Sequence, residues 1–138
     1  MLDLLPSFAP HVVAMRVSGL LDIKDLQRAI DAIEAKKKIY PRINVYTELD
    51  DMRWMTFTAF LRDLSYGLTQ FGDLNRYFRA AVLSDRHWVR HLTQLESHIL
   101  KPMQIRTFPT RQKALAVEWI NQLPEMPDSR HEAERPMD

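Results

Sequence analysis

The sequence predicts one α/β domain, a mostly parallel sheet of about five strands with about four helices, in the order β-β-α-β-α-β-α-β-α. Three observations predict it. First, 138 residues at 46% hydrophobic suit one core and leave little room for a second. Second, two apolar rhythms take turns along the chain, period two for strands and spacings of three and four for helices. Third, Ala80–Leu83 is apolar throughout, as a strand covered on both faces of a parallel sheet requires.

"LDLL" (Leu2–Leu5) is a short strand closed by Pro6 and Pro10. In "HVVAMRVSG" (His11–Gly19), Val13, Met15 and Val17 face one way, and Ala14, Arg16 and Ser18 the other, so one face is more polar. The two opening strands are expected to pair antiparallel. Asp22 can cap the next helix, in which Ile23, Leu26, Ile30 and Ile33 recur at helical spacing. Lys36–Lys38 suit its C-terminus, where the macrodipole favours cations.

Pro41 precedes a third strand, Arg42–Leu49, and a loop, "DDMRWM", follows it. A helix is expected from about Thr56, with a buried stripe of Phe57, Phe60, Leu61, Leu64, Leu68 and Phe71, ending at Gly72-Asp73. "RYFRAAVLS" is the fourth strand. A third helix runs from about Asp85 to Leu100, with Ser84-Asp85 as strand exit and cap. "MQIRTF" (Met103–Phe108) is the last strand. "TRQKALAVEWINQL" is the last helix, with Thr110 as cap and Leu115, Ala116, Trp119, Ile120 and Leu123 as its apolar set. The domain therefore spans 1–123, and 124–138, acidic and proline-rich, reads as a disordered tail.

Charge and composition narrow the function classes. Formal net charge is +1. There is no basic stripe, so direct nucleic-acid recognition is not expected. The absence of cysteine excludes disulfides, thiolate catalysis and cysteine metal sites. No stretch approaches the roughly 20 apolar residues of a membrane span, and the N-terminus has no signal pattern. A cytoplasmic domain is the expectation.

Several stretches together resemble the SpoIIAA-like family, relatives of the STAS domains. They are "LDLLP", "VVAMRVSGLLDIKDL", "INVYTEL", "FTAFLRDLSYGL", "YFRAAVLSDRHWVR" and "MQIRTFPTRQKALAVEWI". The run Arg79–Trp88 and the closing Phe108, Ala114 or Ala116, and Trp119 are the most family-like. The resemblance implies a STAS-type sheet flanked by helices, similar also to the CRAL-TRIO lipid-binding fold. It further implies a non-enzymatic role, in which a small lipophilic ligand is bound, near a membrane surface. STAS antagonists of anti-sigma factors carry a phosphorylated serine at the start of the helix after the third strand. Here that region is "ELDDMRWMTFTAF", with hydroxyls only at Thr56 and Thr58 and with Glu48, Asp50 and Asp51 to repel a phosphate. A regulatory phosphothreonine is therefore not expected.

Three constellations are candidates for a site. His87, His91 and His98 lie within about 40° on the helix wheel, but His98 is about 10 Å along the axis from His91. His87 and His91 can share only an adventitious metal, with Asp85 the one local addition, and no cofactor is expected. The strand C-terminal rim supplies Glu48, Asp50, Asp51, Ser84, Asp85, Gly19 and Leu20, a place where open α/β sheets bind ligands. These acids have no nucleophile or histidine at a catalytic spacing, so no catalytic residue is assigned. Met52, Trp54, Met55, Phe57 and Phe60 crowd one segment. They are either a loop folded on its own core, a lipophilic pocket walled by the helix at 56–71, or a self-association surface, with a homodimer the first expectation.

Overall fold

Alternation in Val12–Ser18 sends Val13, Met15 and Val17 to one side of a sheet and Val12 and Ala14 to the other, all of them buried. The computed structural model describes residues 1–6, 8–70, 77–86 and 104–122. The strands are β1 (Leu2–Leu5), β2 (Val12–Ser18), β3 (Ile43–Asp50), β4 (Tyr77–Leu83) and β5 (Gln104–Phe108). They lie in the order β1-β2-β3-β4-β5, with β1 antiparallel to β2 and the other pairings parallel. Leu2 stands opposite Val17, Val13 opposite Val45, and Val82 opposite Thr107.

Helices α1 (Ile23–Lys37) and α2 (Trp54–Gln70) make the crossovers from β2 to β3 and from β3 to β4. Right-handed crossovers in a sheet whose strands run in sequence order put both helices on one face. That face buries Val13, Met15, Val17, Val45, Leu49 and Val82 against Ala29, Ile30 and Ile33 of α1 and Phe57, Phe60 and Leu64 of α2. Burying each of the larger side chains contributes about 1.5–3 kcal/mol. The last helix, α3 (Lys113–Asn121), enters through a 3-10 turn at Thr110–Gln112 and covers the opposite face. There Ala116 and Ile120 pack with Val12, Ala14, Tyr46, Ala81, Leu83 and Phe108.

The start of α1 is fixed by its sequence. Asp22 accepts from the Asp25 backbone N–H at 2.8 Å, and Asp25 accepts from the Asp22 N–H at 3.1 Å, a reciprocal capping box. Asp25 also accepts from Leu2 N–H at 3.2 Å, and Arg28 donates to the Leu2 carbonyl at 2.6 Å. The helix thereby covers backbone groups of an edge strand that would otherwise invite another chain. Lys36 and Lys37 are tied down, to the Pro10 carbonyl and to Glu34, and do not form a free basic patch.

Several expectations are corrected. Helix α2 begins at Trp54 rather than Thr56, because Phe57 N–H already closes a turn onto the Arg53 carbonyl. Ile23, the first residue of α1, and Leu115 of α3 leave the buried stripes and are exposed. Thr110 does not cap; its own N–H is the orphan donor, and Asp85 accepts it at 2.9 Å. The third predicted helix, with His87, His91 and His98, the Gly72-Asp73 stop and the acidic tail lie outside the described residues.

Candidate functional site

The C-terminal ends of β2, β3, β4 and β5 share one rim. Two residues in the left-handed region shape its first half, Gly19 at φ +59° and Asp51 at φ +47°. The Gly19 N–H donates to the Asp51 carbonyl at 3.2 Å, which ties the β2 exit to the β3 exit. Leu20, next along, is 84% exposed and Ile23 is 79% exposed.

The second half is polar. Arg86 reaches across to Asp51 at 2.6 Å, an exposed ion pair that links the β4 exit to the β3 exit. The Ser84 N–H donates to the Phe108 carbonyl, and the Ser84 hydroxyl accepts from the Arg86 N–H at 3.1 Å. Asp85 crosses to the Thr110 N–H and so joins β4 to the entry of α3. That N–H, with the Thr110 hydroxyl, holds the Asp85 carboxyl below the usual carboxylate range. Between these loops lies a cleft of about 660 Å³.

Glu48 does not belong to this rim. It points to the α3 face two residues before the end of β3, where Arg16 pairs with it at 2.9 Å and Lys113 at 3.1 Å. The Tyr46 hydroxyl donates to it at 2.7 Å. Burial alone would raise the Glu48 pKa, but these three partners outweigh it and hold the group below its ordinary value. The same pair raises the Tyr46 pKa, through burial and through the adjacent carboxylate. The cluster anchors the first turn of α3 to β2 and β3, and its carboxylate is engaged on both oxygens.

The segment Met52–Phe60 is divided. Met52, Phe57 and Phe60 are buried in the core with Val17, Leu49 and Val82. The side chains of Trp54 and Met55 lie outside the described set. Thr56 and Thr58 are half-buried near the start of α2. Sequence reasoning missed Arg86 and Arg111 on the rim, and Arg16 with Lys113 beneath α3. Arg86 follows the Ser84-Asp85 strand exit directly, so the rim rule that selected those two residues also selects it.

Among the described residues, no group of three or more His, Cys, Asp or Glu could hold a metal ion. No described helix is long and apolar enough to cross a membrane. These features define an α/β domain, mostly parallel, whose polar features gather at the ends of its strands. The SpoIIAA-like family model matches residues 12–121, and the chain belongs to that family, which is related to the STAS domains. Its domains are generally non-enzymatic regulatory modules that interact with partner proteins. Comparison with curated proteins and with solved structures finds no match.

Proposed function

We propose that the chain is a non-enzymatic regulatory domain that acts as a homodimer, joined through the corner of the rim at the β2 exit. The observation that supports this reading is the exposure of Leu20 and Ile23, at 84% and 79%, in a chain whose other α1 stripe residues are covered. Two large exposed aliphatic side chains three residues apart, with Asp51 tied to neighbouring Gly19 and paired with Arg86, have the make-up of an interface with an apolar centre and a polar margin. Asp50 and Asp51 lie beside any phosphate at the start of α2, so the association is set by concentration rather than by phosphothreonine. Light scattering on a sizing column over a dilution series tests it. The native chain should pass from dimer to monomer on dilution, and Leu20→Glu should be monomeric throughout with an unchanged melting temperature. A native chain that is monomeric at every concentration would overturn the reading.

A small lipophilic ligand, held by Met52, Trp54, Met55, Phe57 and Phe60 close to a membrane surface, is the second reading. It rests on the concentration of methionine and aromatic residues in this segment, and Met52, Phe57 and Phe60, which are packed in the core, would have to move to admit a ligand. A lipophile would enter by parting α2 from β3 and β4. Native mass spectrometry of the purified chain discriminates, since a retained ligand adds its mass.

A further inference from the structure

The cleft at the β4–β5 end of the rim is about 660 Å³, inside the range of roughly 300–1,000 Å³ usual for small-molecule sites. Among the described residues two guanidinium groups, Arg86 and Arg111, and one carboxylate, Asp85, line it. Ser84, Thr107 and Gln112 add hydroxyls and a carboxamide to the lining. Pro109 supplies an apolar edge, while the Phe108 side chain is buried in the core behind it. It lies outside the C-termini of parallel strands, where sheets of this kind take ligands.

The two arginines are available to an anion. Arg111 is exposed, and its charge acts on the Asp85 carboxylate without a close ion pair between them among the described residues. Among the described residues the Arg86 guanidinium pairs with Asp51, whose side chain is 87% exposed, and an ion pair so open to water is weak. Asp85 is directed to the Thr110 N–H rather than to a guanidinium fork, so a ligand competes with Asp51 for Arg86 and with the more distant charge of Asp85 for Arg111.

We propose that this cleft binds a small molecule through a phosphate monoester. Such a group carries about −1.5 to −2 charge at neutral pH, which two guanidiniums balance and a single carboxylate ligand would not. Its oxygens accept bidentate bonds from each arginine, while the ester's organic part lies along Pro109. Binding draws Arg86 away from Asp51 and so loosens the tie between the β3 and β4 exits. The site shares Arg86 with the polar margin of the proposed dimer surface, whereas Arg111 belongs to the cleft alone, so the Arg111 variant tests the site apart from dimerisation.

Titration of the full ¹⁵N-labelled chain with phenyl phosphate at constant ionic strength tests it, with inorganic phosphate as the second probe. Saturable shifts are expected at the amides of Ser84–Arg86 and Thr110–Lys113, with a Kd of about 1 mM. Arg111→Gln, an exposed change, should weaken phenyl phosphate about tenfold. Asp85→Asn keeps an oxygen for the Thr110 N–H yet removes the like charge, so it should tighten binding. Shifts that never saturate, or that spread over surface lysines and arginines, would overturn the site. So would Arg111→Gln binding as the native chain does. Equal affinity for inorganic phosphate would overturn the organic part of the ligand.

Discussion

At the scale of single residues, the rim depends on two backbones in a conformation most side chains avoid. Gly19 sits at φ +59°, and no heavy atom stands within 4 Å of where its Cβ would be. Alanine there meets no clash, so its effect is conformational alone. The left-handed region costs a residue with a Cβ about 1–2 kcal/mol. Gly19→Ala should therefore lower the urea midpoint by that equivalent without changing the slope of the transition. An unchanged midpoint would show that Gly19 does not hold this conformation in solution. Asp51 accepts the same conformation at less cost than most residues because its short polar side chain tolerates it. The sequence makes Gly19 legible, since Ser-Gly after an alternating run marks a strand end. Asp51 is not legible in that way, because Asp50-Asp51 announces a turn without saying which residue takes the positive φ.

At the scale of elements, α3 shows how a helix whose apolar surface is narrow is nonetheless held. Its last carbonyls have no partners within the helix. Asn44, fully buried on β3, donates to the Ile120 carbonyl at 2.7 Å and to the Gln122 carbonyl at 2.9 Å, and accepts from the Arg79 N–H at 3.1 Å. Arg79 reinforces this end by donating to the Trp119 carbonyl and lying 4.6 Å from the centre of its ring. Asn44→Ala strands the buried Ile120 carbonyl and removes two part-buried bonds, to the Gln122 carbonyl and from the Arg79 N–H, a loss of about 3 kcal/mol. Hydrogen exchange should show α3 amides losing protection first while α1 amides keep theirs. Equal loss in both helices would mean that Asn44 supports the whole core rather than α3. The strands, α1 and the existence of α3 were readable because alternation and helical spacing are local properties of the chain. Asn44 was only a polar position in an alternating strand, since its partners are 76 and 78 residues away. Leu115 was misplaced for a related reason. Ala116 and Ile120, one turn apart, set the face of α3 that meets the sheet, and Leu115 falls outside it. In the candidate site, the rim's acids were legible from strand ends, whereas the reach of Asp85 to Thr110 and of Arg86 to Asp51 is set only by tertiary packing.

At the scale of the whole molecule, the titrating groups act together on stability. Burial holds the pKa of His11 below its ordinary value, Lys36 adds to the effect and the Asn121 backbone opposes it in part. The unfolded chain therefore binds this proton first. Stability from keeping His11 neutral is complete above about pH 6.5 and falls as pH drops from there to the folded value. Three carboxyls follow. Burial would raise Glu48 and Asp25, but the Tyr46, Lys113 and Arg16 partners lower the first. The Asp22 N–H, the N-terminal amine and the Leu2 N–H lower the second. Asp85 is lowered by Thr110. A carboxyl whose folded pKa is depressed contributes stability above its unfolded value, and that contribution is lost as pH falls through the folded one, here below about pH 4. Both effects have the same sign, so the melting temperature should be level from about pH 7 to about pH 9, below the ordinary tyrosine range in which the raised Tyr46 pKa begins to act, and fall in two stages on acidification. His11→Gln should abolish the upper stage and leave the lower one. Glu48→Gln should lower the melting temperature at neutral pH and shrink the lower stage, because it removes a charge that the fold holds between β2, β3 and α3. A native profile that stays level down to pH 5 would show that His11 reaches water in the folded chain. It would then remove the burial argument for that end of β2, while the carboxylate stage would still report on the cluster beneath α3.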